Sequence, residues 1–314
     1  MVWLSVVVCL STLWQASILP PIYASKPKPV DLAYSCIKVS SNRDYHDDVP
    51  IILIHGMSSF KEAWKGINEV LALETGREVC IVDMRNHGES PWSDEVDTAT
   101  MTEDVKHLMD KLKIPKVVVL GHSLGGKIAV HLALNYPERV DKMIVEDMRP
   151  NGMSPEGIKE ILLYIDLLID VNDIVPQGVS EKEARKIFLK NFNDYLAKRN
   201  TSLSYDDPDM FPIKCKDGKC RWNTNTVIFK KMLEDIYSVI PESSGRFDGP
   251  ALFMYGTESN FKVGEDESNI KKLFPNAKLV GVKGAGHMVH LFPEFMSEVI
   301  KFINKKSNSI KEEF

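Results

Sequence analysis

Short apolar segments alternate with helix-like segments along most of this chain, and that order restricts the folds open to it. Each apolar segment is continuous and rich in β-branched residues, as expected of a strand buried on both faces. Between these segments, apolar residues recur at helical spacing, as in Met101, Val105, Leu108 and Leu112. The alternation predicts a mostly parallel sheet flanked by helices. The predicted strands are 51–54, 79–82, 117–120, 143–145, 252–255 and 279–282.

The alternation stops between residues 149 and 247, where three helix-like segments follow one another at 155–169, 180–198 and 227–238. No buried strand is predicted among them. An insertion placed late in a parallel sheet lies over the carboxyl ends of the strands, where open α/β sheets bind ligands. We therefore interpret 149–247 as a helical lid that shapes a substrate pocket.

The segment Gly121-His122-Ser123-Leu124-Gly125-Gly126 lies between a predicted strand and a predicted helix. A Gly-x-Ser-x-Gly sequence in that context is typical of a nucleophile elbow, a sharp turn that exposes the serine at the edge of the sheet. The flanking glycines remove the Cβ atoms that would clash in such a turn. The amides at the start of the following helix favour negative charge beside the serine. We predict that Ser123 is a catalytic nucleophile.

A serine hydroxyl needs an adjacent base, which in this chain order should follow the last strand. Gly284-Ala285-Gly286-His287 follows the run at 279–282 and precedes a helix predicted to begin near Pro293. We predict that His287 is the general base. His290 is the nearest competitor, and we assign it to the packing face of the last helix.

The strand at 51–54 runs directly into His55-Gly56-Met57. In this arrangement, the loop after that strand donates one backbone N–H to the oxyanion hole, and the residue after the nucleophile donates the other. We assign these two amides to Met57 and Leu124. We expect His55 to order its loop, and the segment Arg85-Asn86-His87-Gly88 to be structural.

The carboxylate that should orient His287 has two candidates. The usual site lies about three residues past Gly256, but Ser259 stands there, with Glu258 beside it. Asp147 follows the run at 143–145, and a carboxylate at the end of that strand can also reach the histidine. Such a carboxylate fixes the imidazole tautomer and stabilises its charged form. We favour Asp147 over Glu258.

The first residues and the overall charge limit the compartment and the partners. Residues 1–14 are almost wholly apolar, which predicts a secretory signal cleaved near Ala24. The positively charged first region of such a signal is missing, because no Lys or Arg precedes Lys26. An uncleaved leader would instead associate the chain with a membrane, and a mitochondrial leader would be richer in Arg. The net charge is −5 and the basic residues are scattered, so nucleic acid is not an expected partner.

Four cysteines remain after such a cleavage: Cys36, Cys80, Cys215 and Cys220. An even number permits disulfides in an oxidising compartment, although spacing alone does not give their pairing. Cys215 and Cys220 flank a turn-like segment, so either a local disulfide or two free thiols is compatible with the sequence.

The motifs resemble those of the alpha/beta hydrolase domain-containing protein 11 family and its bacterial esterase relatives. The matching segments are Ile54-His55-Gly56-Met57, the nine residues from Asp83 to Pro91, the elbow with Lys127 after it, and Gly286-His287. The Arg-Asn-His-Gly stretch and Lys127 are the more specific marks. The resemblance covers about residues 49–302, and in the bacterial relatives the acid follows the sixth strand, which supports Asp147.

The resemblance implies an α/β-hydrolase fold: a mostly parallel, eight-stranded-type sheet flanked by helices, with the helical lid after the sixth strand. It also implies esterase activity on lipid or acylglycerol esters, which requires no cofactor and no metal ion. Thioester or amide hydrolysis, and a catalytically silent protein that binds a small apolar ligand, are the alternatives. The predicted divisions are a leader at 1–24, an N-terminal segment at 25–48, core at 49–148 and 248–304, the lid at 149–247 and a charged tail at 305–314.

Overall fold

The computed structural model describes residues 28–38, 49–171, 174–198, 207–234 and 242–305. The predicted leader, part of the N-terminal segment and all but the first residue of the charged tail lie outside these ranges. Among the helices in the described ranges, none is both long and apolar enough to cross a membrane.

A seven-stranded sheet forms the centre of the described chain. The seven strands are β1 (Tyr34–Ile37), β2 (Ile51–Ile54), β3 (Val79–Val82), β4 (Val117–His122), β5 (Val140–Glu146), β8 (Ala251–Gly256) and β9 (Ala277–Val282). They lie in the order β1-β3-β2-β4-β5-β8-β9. Only β1 runs antiparallel to its neighbour, so the sheet is mostly parallel, as predicted. The strand before the insertion is β5, the fifth of the described strands rather than the sixth.

Helices cover both faces of this sheet, which explains why its central strands are continuous apolar runs. On one face, Ile51 and Leu53 share a buried cluster with Leu71 and Phe295, whereas Ile52 and Ile54 face a second cluster on the other side. The core helices are α1 (Ile67–Thr75), α2 (Thr98–Lys111), α3 (Leu124–Asn135), α7 (Glu267–Leu273) and α8 (Pro293–Asn304).

The insertion contains the three predicted helices and one element that the sequence pattern did not reveal. The helices are α4 (Pro155–Val171), α5 (Glu181–Ala197) and α6 (Thr226–Glu234). Between α5 and α6, β6 (Ile213–Lys216) and β7 (Lys219–Trp222) form an antiparallel hairpin. Its strands alternate buried and exposed residues around a turn at Asp217 and Gly218, so a search for continuous apolar runs misses it.

The insertion has a small aromatic core of its own, in which Phe188 packs against Phe192, Phe211 and Trp222. It is joined to the loops that follow β2 and β3. Trp222 Nε1 donates to the Ser58 carbonyl at 3.1 Å, and the Gly88 N–H donates to the Asn223 carbonyl at 2.9 Å. Both loops leave the carboxyl edge of the sheet, so the insertion lies against the edge at which a parallel sheet binds ligands.

Two disulfides connect residues that lie directly opposite each other in antiparallel strands. Cys36 of β1 is bonded to Cys80 of β3, and Cys215 of β6 to Cys220 of β7. The local disulfide was one of the two alternatives left by the sequence, and the pair of free thiols was wrong. The first disulfide ties the antiparallel edge strand to the sheet.

Candidate active site

Ser123 lies in a sharp turn between β4 and α3. Its φ of 52° and ψ of −116° are unfavourable for a residue with a side chain, and strain of this kind is concentrated at functional sites. The turn is also tight, because a Cβ on Gly121 would lie 2.0 Å from the Gly125 carbonyl oxygen. The local sequence therefore folds as the nucleophile-elbow motif predicts, with the serine at the carboxyl edge of the sheet.

Asp147 follows β5, the neighbour of β4, and its carboxylate meets the ring of His287. The His287 Nδ1 lies 2.7 Å from Asp147 Oδ2. The Gly256 N–H donates to Oδ1 at 3.1 Å, and the Ser259 hydroxyl donates to Oδ2 at 2.5 Å. The Asp147 side chain is 0% exposed, so these three donors replace the solvation that the buried carboxylate loses.

Glu258, the other candidate acid, is exposed, and its backbone N–H donates to the Ala285 carbonyl at 3.0 Å. Ser259, which stands where the acid was first sought, instead contributes a hydroxyl to Asp147. The geometry thus brings Asp147, and not Glu258, to His287.

His287 follows β9 and stacks on the ring of Phe261. The ring centroids lie 3.9 Å apart with an interplanar angle of 6°. Arg149 holds the Phe261 backbone in place, because its Nε donates to the Phe261 carbonyl at 2.9 Å. No sequence pattern singles out Phe261, since the sequence around an aromatic residue in a loop does not indicate which ring it will contact.

The loop after β2 lies beside the serine, as the assignment of the oxyanion hole requires. A Cβ on Gly56 would lie 3.2 Å from the Ser123 Cβ. Within the described ranges, neither the Met57 nor the Leu124 amide donates a hydrogen bond to another protein group. Both N–H groups are therefore available to an incoming oxygen.

Two buried histidines order this loop. The Met84 N–H donates to His55 Nε2 at 3.1 Å, so Nδ1 carries the proton and donates to the Gly56 carbonyl at 2.7 Å. Likewise, the Ser58 N–H donates to His87 Nε2 at 3.0 Å. Burial lowers the pKa of both imidazoles, which keeps these acceptors neutral. The contacts agree with the structural roles expected for His55 and for the segment from Arg85 to Gly88.

A model of the alpha/beta hydrolase fold matches residues 49–294. The chain belongs to the alpha/beta hydrolase family. Within this family it is similar to the sn-1-specific diacylglycerol lipase ABHD11 of Danio rerio, with 31% identity over 277 residues, 88% of this chain and 83% of that protein.

Two further comparisons extend this likeness. The chain is 28% identical to ethanol acetyltransferase 1 of Eremothecium cymbalariae over 88% of its own length and 83% of that protein. Among solved structures, it resembles a marine microorganism esterase with a TM-score of 0.70 and 28% identity, over 87% of this chain and 99% of that chain. The chain is thus an ABHD11-like alpha/beta hydrolase related to lipases and esterases.

Lys127, one of the marks of the resemblance, contacts the segment that leads into the insertion. Its ammonium group is buried and donates to the carbonyls of Pro150 and Gly152 at 3.1 and 2.9 Å. Burial lowers the pKa of Lys127 to about 7. The helix that follows Ser123 is thereby connected to the segment that leads into the insertion.

Among the described residues, one group of side chains is spaced to hold a metal ion: Cys36, Glu78 and Cys80. Its two sulfur atoms form a disulfide, so neither is available as a thiolate ligand.

Ser259→Ala should lower kcat about tenfold with little change in KM, because it removes one of the three donors to the Asp147 carboxylate. A hydrogen bond to a charged group contributes about 1.5 to 3 kcal/mol. Steady-state kinetics on a short acyl ester would measure this effect. Asn260→Ala, at the exposed neighbouring position, is the control, and equal kinetics for the two variants would contradict the role given to the hydroxyl.

Proposed function

We propose that this hydrolase cleaves carboxylic esters through an acyl-enzyme formed on Ser123. The observation that carries the proposal is the 2.7 Å contact between His287 Nδ1 and the buried Asp147 carboxylate, at the same sheet edge as the strained Ser123. A serine, a carboxylate and an imidazole, in this order along the chain, form the catalytic triad of α/β-hydrolases.

In the proposed reaction, the Ser123 oxygen attacks the ester carbonyl while His287 Nε2 accepts the hydroxyl proton. Asp147 holds the proton on Nδ1, which leaves Nε2 as the base, and it stabilises the imidazolium that forms. The carbonyl oxygen becomes an oxyanion, to which the Met57 and Leu124 amides donate. His287 then gives its proton to the departing alcohol. Water, deprotonated by the same imidazole, releases the acid from Ser123.

Lipid or acylglycerol esters are the proposed substrate class. The relative from Danio rerio is named for diacylglycerol, and two apolar residues accompany the proposed triad: Leu124 follows Ser123, and Phe261 stacks on His287. Leu124 and Phe261 share a hydrophobic cluster with Ile158 and Ile161, which belong to the first lid helix. Apolar packing between the first insertion helix and this end of the sheet suits an acyl chain, and it supports the interpretation of 149–247 as a lid over the substrate.

Transfer of the acyl group to an alcohol is a second candidate, favoured by the likeness to an ethanol acetyltransferase. It needs the same acyl-enzyme and differs only in the acceptor, with an alcohol in place of water. Both reactions require Ser123, so the two candidates differ in the product that is released.

Purified protein should hydrolyse esters from a graded series of acyl chains and acylglycerols, and a fluorophosphonate probe should label it. Ser123→Ala should abolish both, because it removes the attacking oxygen. Adding ethanol to the wild-type assay and measuring ethyl esters distinguishes transfer from hydrolysis. A folded wild-type protein that is neither labelled nor active on any ester would favour a binding protein instead.

Asp147→Asn should lower kcat by roughly a thousandfold or more, because the amide no longer fixes the imidazole tautomer or stabilises its charge. Glu258→Gln, an exposed amide substitution on the neighbouring loop, is the matched control and should retain kcat within about twofold by the usual behaviour of surface changes. The assignment of the acid is wrong if the control is crippled while Asp147→Asn turns over normally.

We also propose that the chain enters the secretory pathway, since disulfides are rare in the reducing cytosol and residues 1–14 are apolar like the hydrophobic part of a signal. Alkylation of the protein immediately on cell lysis should leave Cys36, Cys80, Cys215 and Cys220 unmodified. The same sample should be labelled at all four after reduction. Labelling before reduction would argue for a reducing compartment.

A further inference from the structure

Two adjacent strands each end in a dipeptide whose second residue is a proposed triad member. β4 ends at His122, which precedes Ser123, and β5 ends at Glu146, which precedes Asp147. His122 and Glu146 are paired in the sheet register. Because side chains alternate along a strand, His122 and Glu146 lie on the face covered by α1 and α8. The first residues of the two dipeptides are therefore neighbours.

Glu146 binds the segment that follows His287. Its carboxylate is 0% exposed and accepts a hydrogen bond from the His290 backbone N–H at 2.8 Å and another from His290 Nδ1 at 2.8 Å. Burial by itself would raise the pKa of Glu146, but the contacts with His290 lower it below its usual range. The Glu146 carboxylate is thus ionised and hydrogen-bonded to His290.

His122 binds the backbone of His287 itself. Its Nε2 lies 3.1 Å from the His287 carbonyl oxygen, which can only accept, so Nε2 carries the proton. Burial lowers the pKa of His122 to about 3, which leaves this neutral imidazole with a single N–H. Its ring lies 4.7 Å from the His287 ring and 5.5 Å from the His290 ring.

We propose that His122 and Glu146 are positioning residues that hold the loop carrying the catalytic imidazole. Their two hydrogen bonds fix the backbone at His287 and three residues later, while Asp147 orients the ring. The last residue of each strand would then position His287, whereas the residue that follows it, Ser123 or Asp147, would take part in the reaction. The proposal rests on the proposed function, because it assigns His287 as the base.

A loop that loses one of these anchors can still form the contact between His287 and Asp147, but the ring would be displaced relative to Ser123. Displacement by about 1 Å is enough to cost roughly a hundredfold in rate. Both hydrogen bonds are made within the protein, to the backbone of the loop that carries His287. The loss should therefore fall on kcat rather than on KM.

Substitution by Leu and by Gln at each position separates positioning from bulk packing. Leu removes the hydrogen bond, whereas Gln keeps a carbonyl to accept from the His290 N–H or an N–H to donate to the His287 carbonyl. Glu146→Leu and His122→Leu should lower kcat about tenfold to a hundredfold with KM within threefold. Glu146→Gln and His122→Gln should recover most of that loss. Rates are expressed per site titrated with the fluorophosphonate.

Lys142→Met is the matched control, because Lys142 lies on the same strand and the same face as Glu146. Its buried ammonium donates to the Ile303 and Lys305 carbonyls at the end of α8, at 2.5 and 2.6 Å. This variant should lower the melting temperature and leave kcat per titrated site unchanged. The proposal is overturned if the Leu variants also keep wild-type kcat per site, or if the Gln variants lose as much as the Leu variants.

Hydrogen exchange of the segment 284–292 tests the anchors without an assay of activity. Exchange at the His290 amide should be faster in Glu146→Leu than in wild type, and close to wild type in Glu146→Gln and Lys142→Met. Unchanged exchange in Glu146→Leu would refute the positioning role. A wild-type protein with no esterase activity but with this exchange pattern would refute the proposed function and leave the loop contacts established.

Discussion

The carboxylate of Asp147 is shielded from solvent, and a buried anion is stable only where donors surround it. Its donors come from three places: the loop after β9 through His287, the end of β8 through Gly256, and the following turn through Ser259. Hydrogen bonds to this one carboxylate therefore connect three segments beside the end of β5. The proposed nucleophile lies on the adjacent strand, so the same arrangement places the elements of a triad side by side.

Ser123 and Asp147, which directly follow β4 and β5, both have a positive φ and therefore a strained backbone. Hydrogen bonds between the strands continue past the strand ends and offset that strain. The Ser123 N–H donates to the Glu146 carbonyl at 3.0 Å, and the Asp147 N–H donates to the Met254 carbonyl at 2.8 Å. Strained residues persist where the surroundings determine them in this way.

The part of the architecture that follows from periodicity was predictable. Continuous apolar runs gave the central strands, and helical spacing gave α2, α3 and the helices of the insertion, because both patterns follow from one-sided or two-sided burial. No pattern singled out α1, α7 or the edge strand β1. The hairpin at 213–222 was missed, since its strands alternate one buried with one exposed residue over only four positions. The elbow was found because its glycines are required by contacts within a few residues.

Contacts between distant residues were the part that patterns could not supply. Ser259 was noticed only as the wrong residue at an expected acid position, and its role as a donor to Asp147 depends on where two loops meet. The stacking of Phe261 on His287 and the attachment of Trp222 to Ser58 likewise join segments that are far apart in sequence. The sequence by itself determined the alternation of central strands with helices, the elbow and the short list of candidate bases and acids, because each depends on local geometry. Only the tertiary structure decided that Asp147 meets His287 and that His122 and Glu146 hold the loop beside them, because those contacts depend on which strand ends the folded sheet brings together.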